Sequence, residues 1–318
     1  MLEADVEVDR RDFTVRASLE VAPGERLALF GPSGAGKTTL LEAIAGLIVP
    51  HRGRITLAGK VLTSTQAPVI ALPPWRRKVG LLRQDPGLFP HLSVRDNLRY
   101  SGGCTEAELR SLAKALGIEG LLRSMPARLS GGQAHRVALG RLLLSRCDAL
   151  LLDEPYTGLD LSLRRNLTEL VISLIAERGV PSVLVAHELA EAQAFADRLA
   201  VLDRGSLLQV GWPSEVVLRP ASRRVAELVG YTAFVPEGDD LIGVHPDRVL
   251  AGWHPERGVA LSGVVTACRP SEARWEVSLR TPAGDAVHVK LPEPLPADKE
   301  TTVTVTDPPR FATDGAAR

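Results

Sequence analysis

The chain has 318 residues, enough for about two domains that each bury a core. Lys plus Arg balance Asp plus Glu at 38 each, so no net charge would attract nucleic acid or an anionic membrane surface. Aromatic residues make up only 4% of the chain, which argues against a stacking surface for single-stranded nucleic acid.

The cysteines and the apolar runs indicate the cellular compartment in which the protein is expected. Cys104, Cys147 and Cys268 are isolated and odd in number, which indicates neither a disulfide framework nor a C-x-x-C metal site and fits a reducing compartment. No apolar run approaches the length that spans a bilayer, and the first ten residues, MLEADVEVDR, do not resemble a signal peptide. The sequence predicts a cytosolic protein that contacts a membrane only through a partner.

Residues 31–39, GPSGAGKTT, have the form G-x-x-x-x-G-K-[ST] between an apolar run and a helical pattern. Glycines let backbone N–H groups turn toward a polyphosphate, and the helix N-terminus favours negative charge. Lys37 is expected to reach the β- and γ-phosphates, and Thr38 to offer its hydroxyl to Mg²⁺. The alternative is a glycine turn that only joins a strand to a helix. The predicted phosphate-binding residues are Gly31, Pro32, Ser33, Gly34, Ala35, Gly36, Lys37, Thr38 and Thr39.

Short strands and helices alternate through the first two thirds of the chain. The runs VEV, FTV and LEV read as strands, a helix is expected at about 37–48, and RITLAGKVL reads as a hairpin through Gly59. A more helical region covers about 91–146, with Ser93 and Thr105 as expected helix N-caps. Apolar strand runs at 149–152, 182–186 and 199–203 follow, and a helix between the first two should stop at Gly179. The alternation predicts a mostly parallel α/β sheet with covered faces.

Four of the buried-strand runs are followed by polar residues with chemical potential. The phosphate loop follows Phe30, Gln84 follows VGLL, Asp153 and Glu154 close ALLL, and His187 follows SVLVA. Ligands of open α/β sheets lie beyond the carboxyl ends of the strands. These groups are therefore expected to converge on one nucleotide.

The chemistry of these groups suggests hydrolysis of a nucleoside triphosphate. Asp153 ends a hydrophobic strand, as does the aspartate that holds Mg²⁺ in phosphate-loop NTPases. Glu154 could orient or polarise the attacking water. His187 could sense the γ-phosphate; taken alone, it would more often be a core histidine, but its place at a strand end favours the site.

A second anion cradle is predicted at LSGGQ, where Ser130, Gly131, Gly132 and Gln133 open a helix that runs to about Ser145. A glycine turn that merely caps a helix is the alternative. Two cradles and one phosphate loop suggest a symmetric dimer, in which LSGGQ of one copy closes on the nucleotide of the other.

The ordered set GPSGAGKTT, Gln84, LSGGQ, LLLDEP, TGLD at 157–160 and His187 resembles the ATP-binding cassette (ABC) ATPases over about residues 1–215. The resemblance implies ATP and Mg²⁺ as cofactors, a head-to-tail homodimer, and a helical subdomain at about 88–146 that receives a membrane permease. It also implies that Gln84 contacts Mg²⁺, the water and the permease side, and that Asp160 contacts the dimer interface.

The segment LPPWRRKVGLLRQDPGLFPHLSVRDNLRY is similar to the importer ATPases, and within them to those of molybdate and related oxyanions. The resemblance implies a peripheral subunit on the cytoplasmic face of the membrane, served indirectly by an extracytoplasmic solute-binding protein. Sulfate, thiosulfate, ferric iron, polyamines or sugars stay open as cargo. A non-transport ABC ATPase is disfavoured because no coiled coil or second cassette is present, and a GTPase because no N-K-x-D run is present.

The sequence departs from the family pattern at several positions. Arg83 stands where an aromatic residue is common, Ala186 replaces a Ser or Thr, and His135 falls in a stretch usually rich in Gln or Lys. Adenine generally stacks on an aromatic residue near the N-terminus, but the spacing points to Arg10, which could stack instead. Phe13 is the nearest ring and is expected to face the core of a strand.

After about residue 215, Pro, Gly and short alternating strands predominate. Residues 216–235 are predicted as a linker, and residues 236–318 as a small all-β domain of the oligonucleotide-binding shape. GVHPDRV is similar to the start of the C-terminal regulatory (TOBE-type) domain of importer ATPases. Nucleic-acid binding is not expected there, because basic and aromatic residues do not cluster; a dimer-stabilising appendage without a ligand is the alternative to a regulatory role.

Overall fold

A computed structural model of the chain describes residues 1–11, 13–157, 159–271, 273–312 and 316–317. These residues form two compact units, Met1–Pro213, called the cassette unit, and Ser214–Arg318, called the C-terminal unit. Gly158, part of the predicted TGLD segment, lies outside the described residues.

The cassette unit is built on one large sheet. Its strands are β1 (Leu2–Asp9), β2 (Thr14–Val21), β3 (Arg26–Phe30), β4 (Arg52–Leu57), β5 (Lys60–Ser64), β6 (Ile70–Ala71), β7 (Val79–Leu82), β8 (Ala149–Asp153), β9 (Ser182–Ala186), β10 (Arg198–Asp203) and β11 (Ser206–Gly211). Its helices are α1 (Lys37–Ala45), α2 (Val94–Arg99), α3 (Glu106–Ala115), α4 (Gly131–Leu144), α5 (Leu161–Arg178) and α6 (Leu189–Phe195). The strand order in the sheet is β6-β5-β4-β1-β2-β11-β10-β3-β9-β8-β7.

The parallel part of the sheet carries the predicted strand ends. β10, β3, β9, β8 and β7 lie side by side and pair in parallel, and β8 and β9 are buried along their whole length. The register sets Phe30 opposite Ala186 and Leu82 opposite Leu152. The carboxyl ends of these strands therefore meet at one edge, which confirms the predicted parallel α/β sheet.

Local signals in the sequence match the turns and helix ends. β4 and β5 form the predicted antiparallel hairpin, and Ala58 and Gly59 both have positive φ, as a two-residue turn of this kind requires. Ser93 caps α2, and Thr105 closes a capping box with Glu108 at the start of α3. α5 ends at Gly179, which has φ 61°.

The C-terminal unit is mostly antiparallel β-structure. The helix α7 (Pro213–Leu218) leads into it, and α8 (Arg223–Leu228) follows. Its strands are β12 (Ala233–Glu237), β13 (Asp240–Val244), β14 (Val249–Ala251), β15 (Gly258–Ser271), β16 (Arg274–Arg280), β17 (Ala286–Leu291), β18 (Glu300–Thr306) and β19 (Arg310–Phe311). They form a three-stranded sheet, β12-β13-β19, and a five-stranded sheet, β14-β18-β15-β16-β17.

This unit agrees with an additional small β-domain, although helices precede its strands. Residues 216–235, predicted as a linker, include α8 and the beginning of β12. The inward-facing Val and Leu residues of the strands form one core, as their alternating burial predicts. In neither unit do the described residues include a helix that is both long and apolar enough to cross a bilayer.

Arg77 fixes the far end of α1, the helix that follows the phosphate loop. Its side chain is buried, with 2% of the residue exposed, and Nη1 donates to the carbonyl oxygens of Ala43 (3.2 Å) and Ile44 (3.0 Å). Nε donates to Leu72 O at 2.7 Å and Nη2 to Thr63 Oγ1 at 2.9 Å. The guanidinium thus adds a second donor to Ala43 O, which also accepts from Gly46 N at 3.1 Å, and binds Ile44 O in the last turn of the helix.

We expect Arg77→Met to lower the free energy of unfolding by about 2–4 kcal/mol, because it leaves several buried acceptors unsatisfied. Urea denaturation of the full chain measures this loss. Arg76→Met, at the exposed neighbouring position, is the matched control and should change stability by less than about 0.5 kcal/mol. Equal effects of the two substitutions would contradict the capping role.

Candidate nucleotide-binding site

The glycines of the phosphate loop are required for different reasons. A Cβ on Gly31 would lie 1.9 Å from Leu202 O, and one on Gly36 would lie 2.6 Å from Val15 Cγ2. Gly34 has φ 80° but faces open space. The chain's own packing therefore explains Gly31 and Gly36, whereas Gly34 is needed for a left-handed backbone that faces the cleft.

Lys37 closes the phosphate loop on itself. Only 5% of the residue is exposed, and Nζ donates to the carbonyl oxygens of Gly31 at 2.7 Å and Pro32 at 2.9 Å. Burial lowers the pKa of Lys37, and the charges of Glu154 and Asp153 act in the opposite direction. The loop thus holds a cation whose surroundings are acidic.

Asp153, at the carboxyl end of β8, has a buried carboxylate oxygen without a partner. The residue is 2% exposed, and its Oδ1 makes no hydrogen bond. Burial raises the pKa of Asp153, while a hydrogen bond with Thr38 lowers it. An unpaired buried oxygen beside a hydroxyl fits a Mg²⁺ ligand set, because Mg²⁺ prefers oxygen ligands.

The protein would hold such an ion with few ligands of its own. Within the described parts of the chain, no group of three or more His, Cys, Asp or Glu side chains could hold a metal ion. Mg²⁺ usually binds through one or two carboxylates, waters and substrate phosphates, so the pair Thr38 and Asp153 is compatible with it.

Three predicted residues meet at Glu154. Nε2 of Gln84 donates to Oε1 of Glu154, and Nε2 of His187 contacts the same oxygen. Glu154 has φ 53°, a region that costs a non-glycine residue on the order of 1–3 kcal/mol, and its N–H donates to Val185 O at 3.3 Å. The His187 side chain is 43% exposed, which contradicts the alternative of a core histidine.

The LSGGQ segment forms a helix cap with an exposed backbone. Ser130 is the N-cap of α4; its hydroxyl accepts from Gln133 N at 3.3 Å, and Gln133 Oε1 accepts from Ser130 N at 2.9 Å. A Cβ on Gly131 would meet no atom within 4 Å. The capping alternative is therefore realised, but capping does not explain the glycine.

A cleft of 710 Å³ connects these parts within one chain. Its rim includes the phosphate loop, the Gln84, Glu154 and His187 group, and Gly131 and Gly132. The full lining is Phe13, Ser33, Gly34, Ala35, Gly36, Lys37, Thr38, Thr39, Gln84, Pro86, Gly131, Gly132, His135, Glu154, Thr157 and His187. Its residue types, glycines with a buried lysine and one carboxylate, Glu154, suit a polyphosphate with a cation.

Comparison with known proteins supports this interpretation. Residues 15–157 match the family model described as ABC transporter. The chain is 42% identical over 223 residues, 69% of its length, to the Fe(3+) ions import ATP-binding protein FbpC of Mesorhizobium japonicum, and covers 61% of that relative. It is 39% identical over 236 residues, 71% of its length, to the molybdenum import ATP-binding protein ModC of Mycobacterium tuberculosis, and covers 63% of it. The chain thus spans less than two thirds of each of these relatives.

A solved structure is similar to about two thirds of the chain. It is a dimeric ATP-binding cassette in a post-hydrolysis state, bound to ADP and Pi, with a TM-score of 0.57 and 26% identity. The match covers 67% of this chain and 99% of that one. The cassette unit belongs to the ABC transporter family.

Asp160 is the remaining predicted site residue of the cassette unit. Asp160 is the N-cap of α5, and its carboxylate accepts from Leu163 N at 2.9 Å. Among the described residues that line the cleft of one chain, Asp160 is not present. Its side chain therefore caps the start of α5, whose first turn is exposed at Leu161.

Arg10 and Phe13, the two residues considered for the adenine side, differ in their surroundings, and Phe13 does not lie in a strand as expected. Arg10, predicted to stack on the base, donates from Nε to Thr39 Oγ1 at 3.0 Å and from Nη2 to Glu42 Oε2 at 3.2 Å. Phe13, expected within a strand, lies in the loop before β2 and borders the cleft beside Gly36. Sequence spacing could not decide this, because the loop is oriented by contacts with α1, far along the chain.

Sequence reasoning also assigned no role to His135 and missed Glu191. His135 lines the cleft of the ABC cassette, is 5% exposed, and has an unpartnered Nε2; burial lowers its pKa. Glu191, on α6 just after His187, has its pKa raised to about 7 by burial, against the charge of Arg164. Arg164 also pairs with Glu188 at 2.8 Å, which joins α5 to the His187 segment. An acidic residue on a short polar helix gives no sequence signal that it is buried.

The raised pKa of Glu191 predicts a pH-dependent stability. Because the folded-state value lies above the ordinary 4.5, the folded chain holds the extra proton between about pH 4.5 and 7, and stability falls as the pH rises through that window. We expect Glu191→Gln to match the wild type near pH 4.5 and to exceed it by up to about 3 kcal/mol near pH 8. Unfolding curves at several pH values measure the difference; a difference that is the same throughout would contradict the assignment.

Proposed function

We propose that the chain is the ATP-hydrolysing subunit of an ABC importer. The observation that carries the proposal is the meeting of Gln84 and His187 on one carboxylate oxygen of Glu154, next to the phosphate loop. A carboxylate held by two side chains at the phosphate end of a cleft can orient a water molecule for attack on the γ-phosphorus. A glycine turn that merely joined β3 to α1 would leave this group unexplained.

The proposed chemistry is positioning and charge stabilisation. Backbone N–H groups of the phosphate loop and Lys37 would bind the β- and γ-phosphates, with Lys37 exchanging its carbonyl contacts for phosphate oxygens. Thr38 and Asp153 would hold Mg²⁺, which neutralises charge on the phosphates when bound. Glu154 would accept hydrogen bonds from the water, and Gln84 and His187 would hold Glu154 in place. Phe13, not Arg10, would stack on the base.

A head-to-tail homodimer is part of the proposal. Gly131 faces open space within its own chain, so the backbone at the start of α4 can be approached closely from outside the chain. The nucleotide held by a second copy would occupy this space, and the start of α4 would then add N–H donors to its phosphates. Asp160 would lie at the interface between the copies. The solved ABC neighbour described above is itself dimeric.

A membrane permease is the proposed second partner, at the cytoplasmic face. A groove of 680 Å³ in the cassette unit carries Trp75, 81% exposed, and Tyr100, 61% exposed. Exposed aromatic rings in a groove are typical of a protein interface and fit an inserted apolar helix. An extracytoplasmic solute-binding protein would deliver the cargo to that permease, and no nucleic acid is involved.

For the cargo we propose a small inorganic ion, with molybdate or a related oxyanion as the first candidate. Residues 72–100, which include Gln84, resemble a segment of the oxyanion importer ATPases. One relative at 39% identity is named for molybdenum import. Ferric iron is the second candidate, because a relative at 42% identity is named for Fe(3+) import. Polyamines, sugars and sulfate remain alternatives within the same ATPase role.

The hydrolytic role predicts opposite effects for two substitutions. Lys37→Ala should remove most ATPase activity and weaken ATP binding, because it deletes the cation that contacts the phosphates. Glu154→Gln should abolish turnover by at least about 100-fold yet retain ATP and accumulate as a dimer, since it loses only the group that positions the water. Phosphate release and light scattering under saturating MgATP measure these outcomes. Normal hydrolysis by Lys37→Ala, or a strictly monomeric Glu154→Gln, would contradict the proposal.

The cargo proposal is tested by uptake. Deletion of the gene in its native host should reduce uptake of radiolabelled molybdate severalfold and leave uptake of labelled Fe³⁺ unchanged, and the wild-type gene should restore it where the Glu154→Gln gene does not. Loss of Fe³⁺ uptake alone would favour the second candidate. Unchanged uptake of both ions would exclude both.

A further inference from the structure

Glu42 lies on α1 one helical turn after Thr38 and makes contacts on both sides of the cleft. Its side chain is only 16% exposed. Oε2 accepts from Nη2 of Arg10 at 3.2 Å, and Oε1 accepts from Nη2 of Arg83 at 3.4 Å. One carboxylate thus uses one oxygen for each of two arginines that are far apart in sequence.

The Arg10 contact fixes the loop that carries Phe13. Arg10 N donates to Phe13 O at 2.9 Å, which closes the loop, and Arg10 Nε donates to Thr39 Oγ1 at 3.0 Å. The loop is therefore tied to the first turns of α1 through a pair of contacts, at Thr39 and Glu42. Phe13 itself borders the cleft next to Gly36.

The Arg83 contact fixes the segment that carries Gln84. Arg83 directly precedes Gln84, whose side chain donates to Glu154. Arg83 is 57% exposed and Arg10 38% exposed, so each ion pair alone would contribute little to stability. Both arginines bind one carboxylate whose side chain is only 16% exposed, so a substitution of Glu42 removes both contacts at once.

We propose that Glu42 is a positioning residue that ties the Phe13 loop and the Gln84 segment to one helix, so that the base side and the hydrolytic side of the cleft are aligned together. The inference rests on the proposed ATPase function for its catalytic consequence. The alignment itself follows from the contacts of Arg10 and Arg83. Both arginines occupy positions where the resemblance leads one to expect aromatic residues, so this chain uses charge pairs there.

Steady-state kinetics of the full chain distinguishes the effect of the Arg10–Glu42 contact from that of the Arg83–Glu42 contact. Arg10→Met should raise the KM for ATP about fivefold with kcat unchanged, because it frees the Phe13 loop. Arg83→Met should lower kcat about fivefold with KM unchanged, because it frees Gln84. Glu42→Gln should do both. Adding Arg83→Met to it should have no further effect on kcat, and adding Arg10→Met, which also removes the contact with Thr39, should raise KM by less than it does in the wild-type chain. Arg11→Met, at the exposed position beside Arg10, is the control and should change neither parameter.

Hydrogen exchange gives a readout that needs no hydrolysis. Amides of the segment from Arg10 to Thr14 should exchange at least threefold faster in Arg10→Met, amides around Gln84 in Arg83→Met, and both sets in Glu42→Gln. Glu42→Gln that accelerates neither segment, or effects of the arginine substitutions that add fully in its background, would overturn the inference. If Glu42→Gln fails to fold, Glu42→Asp replaces it: the shorter side chain should loosen both contacts and accelerate exchange in both segments, and acceleration of only one segment or of neither overturns the inference. A wild-type chain that neither binds nor hydrolyses ATP would instead refute the proposed function, and the exchange result would still decide the alignment.

Discussion

The register of the parallel strands is the constraint on which the rest of the cassette unit depends. Backbone hydrogen bonds set β3 beside β9, β9 beside β8, and β8 beside β7, so the residue after each strand must lie at the same edge. Glu154 can receive both Gln84 and His187 only because its strand lies between theirs. A shift of the β8 register by one residue would turn the side chain of Asp153 and that of Glu154 each to the other face of the sheet. Both would then lie away from the phosphate loop.

Charged side chains are concentrated at this edge of the sheet, and their burial lowers the stability of the folded chain. Lys37 and Asp153 are both almost fully buried, one held by carbonyl groups and the other with an oxygen unpaired. Glu154 adds a left-handed backbone conformation. The apolar strands and the buried cap at Arg77 supply the stability that lets such a group persist. Unfavourable features gathered where a ligand binds are typical of functional sites.

The sequence predicted most of this edge and little of what surrounds it. Lys37, Gln84, Glu154 and His187 were predictable because parallel strands share an edge whatever their side chains do. Helix caps were predictable because they depend on residues three apart, as at Thr105.

The surroundings depend on contacts between distant segments. Phe13 and Arg10 are three residues apart in a loop, and only α1 decides which of them enters the cleft. Arg77 stands in a run of three basic residues, any of which could be the buried one. Glu191 has the sequence neighbourhood of a solvated residue, but the packing of α6 leaves it half-buried.

The reciprocal hydrogen bonds of Ser130 and Gln133 have a consequence for assembly. Because each side chain accepts from the backbone N–H of the other residue, the start of α4 is already ordered within the single chain. A surface ordered in advance loses little conformational entropy when it is covered, so association is limited mainly by diffusion and orientation. A ligand held by a second copy would then contact backbone atoms at the start of α4. Side-chain substitutions change the position of backbone atoms least.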